Sequence, residues 1–212
     1  MTETIENLIQ LLFSGICMSV SAWKAYTTRK RMWVLLGFAG GAYFLMDLYW
    51  ELFVVFYSHS PKYSSIPDIG AMACYIFLIM IMHELRNEQK LRFIRPRSRF
   101  LWLIPVFTAA MTVYFLSDGF YIEYIIEGVI TTVMIWEAVD GLLELKEYPE
   151  QKTKKRMFYI IVLLFSFAEY SSWTASSIWD SDDLGNPYYW FDTLLSVTFL
   201  LFPLALRKES KE

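Results

Sequence analysis

The chain has 212 residues, of which 56% are hydrophobic and 19% charged, whereas soluble domains run about 45–50% apolar and about 25% charged. Seventeen Phe, 14 Tyr and 8 Trp against only 9 Gly and 7 Pro exclude disorder, collagen-like repeats and low-complexity sequence. A net charge of −3 argues against nucleic acid as a partner, and two cysteines, Cys17 and Cys74, make neither a disulfide framework nor a Cys/His metal signature.

A helix that spans a bilayer needs about 20 mostly apolar residues, and seven segments qualify, at about 5–26, 32–57, 68–85, 99–117, 120–144, 156–179 and 189–206. The expected fold is all-α, a polytopic bundle of seven transmembrane helices in a single domain covering 1–212. Helix 1 follows Met1-Thr-Glu-Thr-Ile-Glu, which has no basic n-region and no small-residue cleavage site after it, so it is expected to be retained rather than removed as a signal peptide. Helix 2 opens on Lys30-Arg31-Met32-Trp33 and contains Gly37-x-x-x-Gly41, a spacing that lets a neighbour pack closely. Pro67-Asp68 and Asn186-Pro187 read as the starts of helices 3 and 7, and Asp118 as a cap before helix 5. Pro105 and Pro203 are expected to kink helices 4 and 7.

Lys and Arg collect on the cytoplasmic side of a membrane protein. With the N-terminus outside and the C-terminus inside, all of the 19 Lys and Arg except Lys62 fall at inner ends, while Asp118, Asp180, Asp182 and Asp183 fall in outer loops. This pattern places the chain in a plasma (cytoplasmic) membrane as a multi-pass protein. The basic run from Arg86 to Arg99 is expected on anionic lipid. Lys24, Glu137, Asp140 and Glu144 also fall near inner ends, where snorkelling or a Lys24–Glu137 pair is a sufficient explanation.

The chain also repeats itself. Lys155-Arg156-Met157-Phe158 opens helix 6 as Lys30 to Trp33 opens helix 2, and Asp47 with Trp50 is echoed by Glu169 with Trp173. Helices 1–3 therefore correspond to helices 5–7, with helix 4 as connector, a 3+1+3 parallel repeat whose binding site belongs at the interface of the halves.

The chemistry lies in carboxylates that have no business in hydrocarbon. Counting ~1.5 Å per residue puts Asp47 ~22 Å and Glu169 ~20 Å above the inner edges of their helices, Glu127 ~10 Å and Asp192 ~5 Å below the outer edges of theirs. Glu51, Asp68 and Glu123 lie nearer the outer surface, and no Lys or Arg shares this zone. A charged side chain near the bilayer centre costs about 2.5–3.5 kcal/mol on insertion scales, so these groups should face the bundle interior. Asp47/Glu51 and Glu123/Glu127 are i,i+4 pairs on one helix face each; a proton, a bound cation, an amine or water must offset their repulsion. Tyr43, Trp50, Tyr75, Tyr170 and Trp173 accompany them, and acid beside an aromatic face holds organic cations. The expected site is an outward-opening ligand pocket formed by Asp47, Trp50, Glu51, Glu127, Glu169, Trp173 and Asp192. The competing account of the same residues is an interfacial aromatic belt with acids that hydrogen-bond neighbouring helices, and it suits Tyr57, Trp179, Tyr188 and Trp190 better than the pocket does.

Enzymatic readings lack their constellations. Only His59 and His83 exist and they fall on opposite sides of the membrane; no G-x-S-x-G, no Cys–His pair and no Gly-rich phosphate loop occurs. No catalytic residue, no metal and no cofactor is expected; retinal in particular needs a Lys in helix 7, where Tyr188 to Leu206 has none.

Met46-Asp-Leu-Tyr-Trp-Glu through Ser64-Ser-Ile-Pro-Asp-Ile, and Ala168-Glu-Tyr through Asn186-Pro-Tyr-Tyr-Trp-Phe-Asp192, resemble the seven-helix input modules ahead of bacterial diguanylate cyclases and histidine kinases. The resemblance covers helices 2–3 and 6–7. It implies a sensory role with Asp47, Asp68, Glu169 and Asp192 at the matching positions. Only Arg207 to Glu212 follow helix 7, so a signal would have to pass to a separate cytoplasmic or membrane partner. The 3+1+3 layout is similar to the SWEET and PQ-loop carriers, although the Pro-Gln signature is absent and helices 1 and 5 contain no Pro. The expected function is thus an integral membrane receptor or sensory module for a small cationic or polar aromatic solute. A small-solute carrier, proton-coupled through Glu169 or Asp47, is the alternative, and an accessory membrane subunit whose acids serve assembly is the third reading.

Overall fold

The computed structural model describes residues 2–57, 66–87, 99–116, 121–147, 152–179, 181 and 183–207. Their regular structure is helical: α1 (Thr2–Thr28), α2 (Arg31–Tyr57), α3 (Ile66–Asn87), α4 (Leu103–Phe115) after a 3-10 turn (Arg99–Trp102), α5 (Tyr121–Glu147), α6 (Lys152–Ile178) and α7 (Pro187–Arg207). Five of them, α1, α2, α3, α6 and α7, are long and apolar enough to cross a membrane. The other two fall short for different reasons. The apolar stretch Arg99–Phe115 is too short even with its opening 3-10 turn included. In α5, Glu123, Glu127, Glu137, Asp140 and Glu144 interrupt the apolar run.

Local chemistry explains the ends that are described. The Asn186 side-chain oxygen accepts from the Tyr188 backbone N–H at 3.0 Å, an N-cap for a helix whose first residue is Pro187, where the missing N–H costs nothing. Asp68 lies inside the first turn of α3 rather than ahead of it, so its carboxylate meets the positive helix end instead of capping it. Arg29 leaves α1 with φ 53°, a left-handed exit that turns the chain into α2. The proposed cap Asp118 lies outside the described residues, as do His59, Lys62, Asp180, Asp182 and most of the basic residues between Arg86 and Arg99.

The helices close a ring. α1 packs on α2 and α7, α2 on α3, α3 on α5, α5 on α6, and α6 on α7, while α2 approaches α7 and α3 approaches α6 across the middle. α4 stands outside against α5 and reaches α6 through side chains, Phe107 on Tyr170 and Phe115 on Trp173. Small residues set the closest approaches. A Cβ on Gly40 would meet the Met18 backbone nitrogen at 3.0 Å and Cys17 Sγ at 3.3 Å, so α2 lies directly on α1; on Gly128 it would collide with the Thr112 side chain of α4. The Gly37-x-x-x-Gly41 segment therefore works through close packing. The outward faces carry exposed Leu12, Leu45, Val55, Val106, Val129 and Phe167, a surface suited to lipid contact.

The centre of the ring is aromatic in one half. Phe165, Phe199, Phe202 and Phe158 are essentially inaccessible and contact one another with ring centroids 5.5–6.2 Å apart. At the end of the bundle beyond them, Arg86 of α3 is clamped by α5: its guanidinium lies 2.6 Å from Glu137, 2.7 Å from Asp140 and 3.5 Å from Glu144. This overturns the Lys24–Glu137 pairing expected from depth alone. Lys24 instead sits over the Trp23 ring at 4.7 Å, and the acid-rich face of α5 turns away from α1 toward α3.

Candidate functional site

Near the opposite end, which carries the start of α1 and the α6–α7 connection, a cavity of about 310 Å³ is lined by residues of α1, α2, α3, α6 and α7. Asp47 and Trp50 come from α2, Glu169, Ser172 and Trp173 from α6, and Asp192 from α7, with Asn7, Gln10, Tyr43 and Tyr188 completing the wall. Asp47 and Asp192 are each 5% exposed. The structure thus brings five of the seven expected residues, Asp47, Trp50, Glu169, Trp173 and Asp192, onto one cavity. Glu127 lies beside a second, much smaller space of about 20 Å³ between α3, α4, α5 and α6, room for about one water. Glu169 and Trp173 line both spaces. Glu51 is half-buried and lines neither: it stands at nearly the height of Trp50, which does line the cavity, but about 100° away around α2.

Hydrogen bonds join these groups into a belt with one residue from each helix of the ring. The Gln10 amide of α1 donates to Asp192 of α7 at 3.3 Å and lies 3.5 Å from the Tyr43 hydroxyl of α2. Tyr43 donates to Glu169 of α6 at 3.5 Å. Tyr75 of α3 donates to the other Glu169 oxygen at 2.8 Å and stands 3.5 Å from Glu127 of α5. Separately, the Ser14 hydroxyl of α1 donates to Asp47 at 3.1 Å. In a low-dielectric interior such charge-assisted bonds stabilise a carboxylate far better than they would in water. One acceptor is left over, since Asp192 Oδ2 is buried without a hydrogen-bond partner.

The belt rests on the aromatic core. Phe165 lies one helical turn below Glu169 and Phe199 two turns below Asp192; Tyr43 packs on Phe199 at 4.6 Å and on Phe165 at 6.2 Å. Buried Phe202, Phe158, Leu36, Leu78 and Met82 continue the fill. The cavity therefore has a polar wall, aromatic sides and a packed apolar floor.

The contribution of α1 was not anticipated from the sequence, yet it has a periodic signal. Glu6, Gln10, Ser14, Cys17 and Ser21 follow one another at spacings of three and four and all are buried, a polar stripe on one face of an otherwise apolar helix. Glu6 is its most unusual member, with both carboxylate oxygens buried and without hydrogen-bond partners.

No protein-family model, curated protein or solved structure matches this chain, so the site has to be read from its own chemistry.

Proposed function

We propose that the chain is a seven-helix protein of the plasma membrane, N-terminus outside, that takes a small solute from the outer face and acts as a receptor or sensory module. The observation that carries this reading is the acid and aromatic cavity with an unused buried acceptor, Asp192 Oδ2, above a floor closed by Phe165, Phe199 and Phe202. Its volume is at the small end for ligand pockets, which run about 300–1,000 Å³. Its aromatic walls and acids suit a cation or a polar ring. The sorting of Lys and Arg supports the orientation, and the likeness of helices 2–3 and 6–7 to bacterial input modules supports a sensory role. α4 and α5 complete the seven spans in this reading, α4 by use of its 3-10 turn and α5 because its acids face α3 and the cavity region rather than lipid.

A carrier is the second reading, and the ring favours it. Exchanging α1, α2, α3 with α5, α6, α7 maps each neighbouring pair onto another neighbouring pair, including α2–α7 onto α3–α6, as a parallel repeat requires. In that reading the outer cavity and the Arg86 clamp at the far end are the open and closed sides of one alternating-access state.

A thermal-shift screen of small solutes on the purified protein, repeated on Asp47→Asn and Glu169→Gln, tests the binding claim: a solute that stabilises the parent and fails on both variants supports it. Uptake of that solute into proteoliposomes, lost in the same variants, selects the carrier; saturable binding without uptake selects the receptor.

A further inference from the structure

The hydrogen bonds around the cavity specify the class of solute more narrowly than its acidity does. The donors nearest the acids are already committed: Ser14 to Asp47, Gln10 to Asp192, Tyr43 and Tyr75 to Glu169. The hydroxyls of Ser172 and Ser176 turn back to carbonyls of their own helix at 2.9 and 2.8 Å. Beside the acids what remains is acceptor capacity: Asp192 Oδ2, on a side chain 5% exposed, is buried and meets no donor among the described residues. No Lys or Arg is among the described residues lining the cavity, so no cation there matches a ligand carboxylate, which would meet only neutral donors such as the Asn7 amide. We propose that the cavity selects a small primary ammonium ion that carries no carboxylate, its N–H groups bonding Asp192 and Asp47 and its body lying between Trp50, Trp173 and Tyr188. This inference rests on the solute-binding reading above.

Each alternative fails on a different account. A quaternary ammonium brings charge but no N–H, so the buried Asp192 oxygen stays unpaired. A neutral alcohol brings a donor but no charge to offset two buried acids. An α-amino acid brings an ammonium, and with it a carboxylate that has to be desolvated next to Asp47, Glu169 and Asp192. Of these four classes, the primary amine alone combines positive charge and several N–H donors with no carboxylate to desolvate.

Four probes that share one ring separate these accounts: phenethylamine, its N,N,N-trimethyl derivative, 2-phenylethanol and phenylalanine. Binding is measured by calorimetry and thermal shift on the full chain in nanodiscs. The expected result is saturable binding of phenethylamine, at least about tenfold tighter than each of the other three, and reduced at least about tenfold by Asp192→Asn, which removes the anionic acceptor while keeping the shape. Equal or tighter binding of the trimethyl derivative, the alcohol or phenylalanine overturns the proposal. If Asp192→Asn does not fold, Asp47→Asn takes its place, and the parent series decides by itself. If none of the four binds while another solute does, the amine assignment falls and the solute site stands; if no solute of any class binds, the site reading falls with it.

Discussion

Single side chains decide how the polar belt is tolerated in an apolar bundle. Gln10 is the donor to Asp192 Oδ1, and the other Asp192 oxygen is already unpartnered. Gln10→Leu should therefore leave a buried carboxylate without a donor and cost roughly 1–3 kcal/mol of stability, read as a lower melting temperature in detergent; an unchanged melting temperature would show that the bond contributes nothing. Glu6 predicts the opposite sign. Its carboxylate is buried and unpartnered, an arrangement that is costly whenever the group is charged, so Glu6→Gln should leave the protein as stable or more so in the same assay, and a clear loss would contradict this. Asp47, Glu169 and Asp192 were legible in the sequence because a carboxylate inside an apolar run of some 20 residues has few tolerable destinations. Gln10 and Ser14 were not, because an uncharged polar residue is common in membrane helices and carries no such penalty when read alone; only their shared face with Glu6 and Ser21 marks them. Glu51 shows the limit of the i,i+4 rule, which fixes the side of a helix and leaves open where around it a cavity wall ends.

Between elements, the strongest specific tie is electrostatic. Arg86 binds α3 to α5 through Glu137 and Asp140, with the Arg86 side chain 11% exposed. Removing one partner of a buried ion pair costs about 3–5 kcal/mol because the remaining charges lose their compensation, so Arg86→Met should strongly destabilise the fold. The triple variant Arg86→Met, Glu137→Gln, Asp140→Asn should recover part of the loss, and thermal unfolding of the three proteins checks the sequence of stabilities. No recovery would mean that the guanidinium matters through packing rather than charge. Steric ties are equally local: Gly40→Leu should force α2 away from the Met18 backbone and lower the melting temperature more than Gly41→Leu, whose Cβ would meet only the Met18 side chain at 3.5 Å. The sequence located the helices, as segment 32–57 against Arg31–Tyr57 shows, although the expected 99–117 has only Leu103–Phe115 as α-helix. It could not supply the azimuth of one helix against the next. Lys24 and Arg86 both fall near the ends of their helices and either could have faced Glu137; the ring order, which sets α5 between α3 and α6, decided for Arg86.

At the scale of the whole molecule, the proposed site is a cavity open to the outside and lined by acids, with an apolar plug beneath. The polar belt takes one residue from each of the six ring helices. Its division between a large and a small space was not legible, because no sequence pattern reports that Tyr75 stands between Glu127 and Glu169. Cysteine chemistry reaches the claim directly. Cys17 and Cys74 are buried and free, and once both are replaced by Ala, Ser176→Cys places a single thiol at an exposed position on the cavity wall. The measurement is the rate at which membrane-impermeant thiosulfonates of opposite charge, added outside intact cells, modify that thiol. The account predicts modification from the outside, with the cationic reagent faster than the anionic one by at least about tenfold as acids concentrate cations in a low-dielectric cleft; a thiol that reacts only from the inside, or reacts from outside without regard to reagent charge, would contradict it.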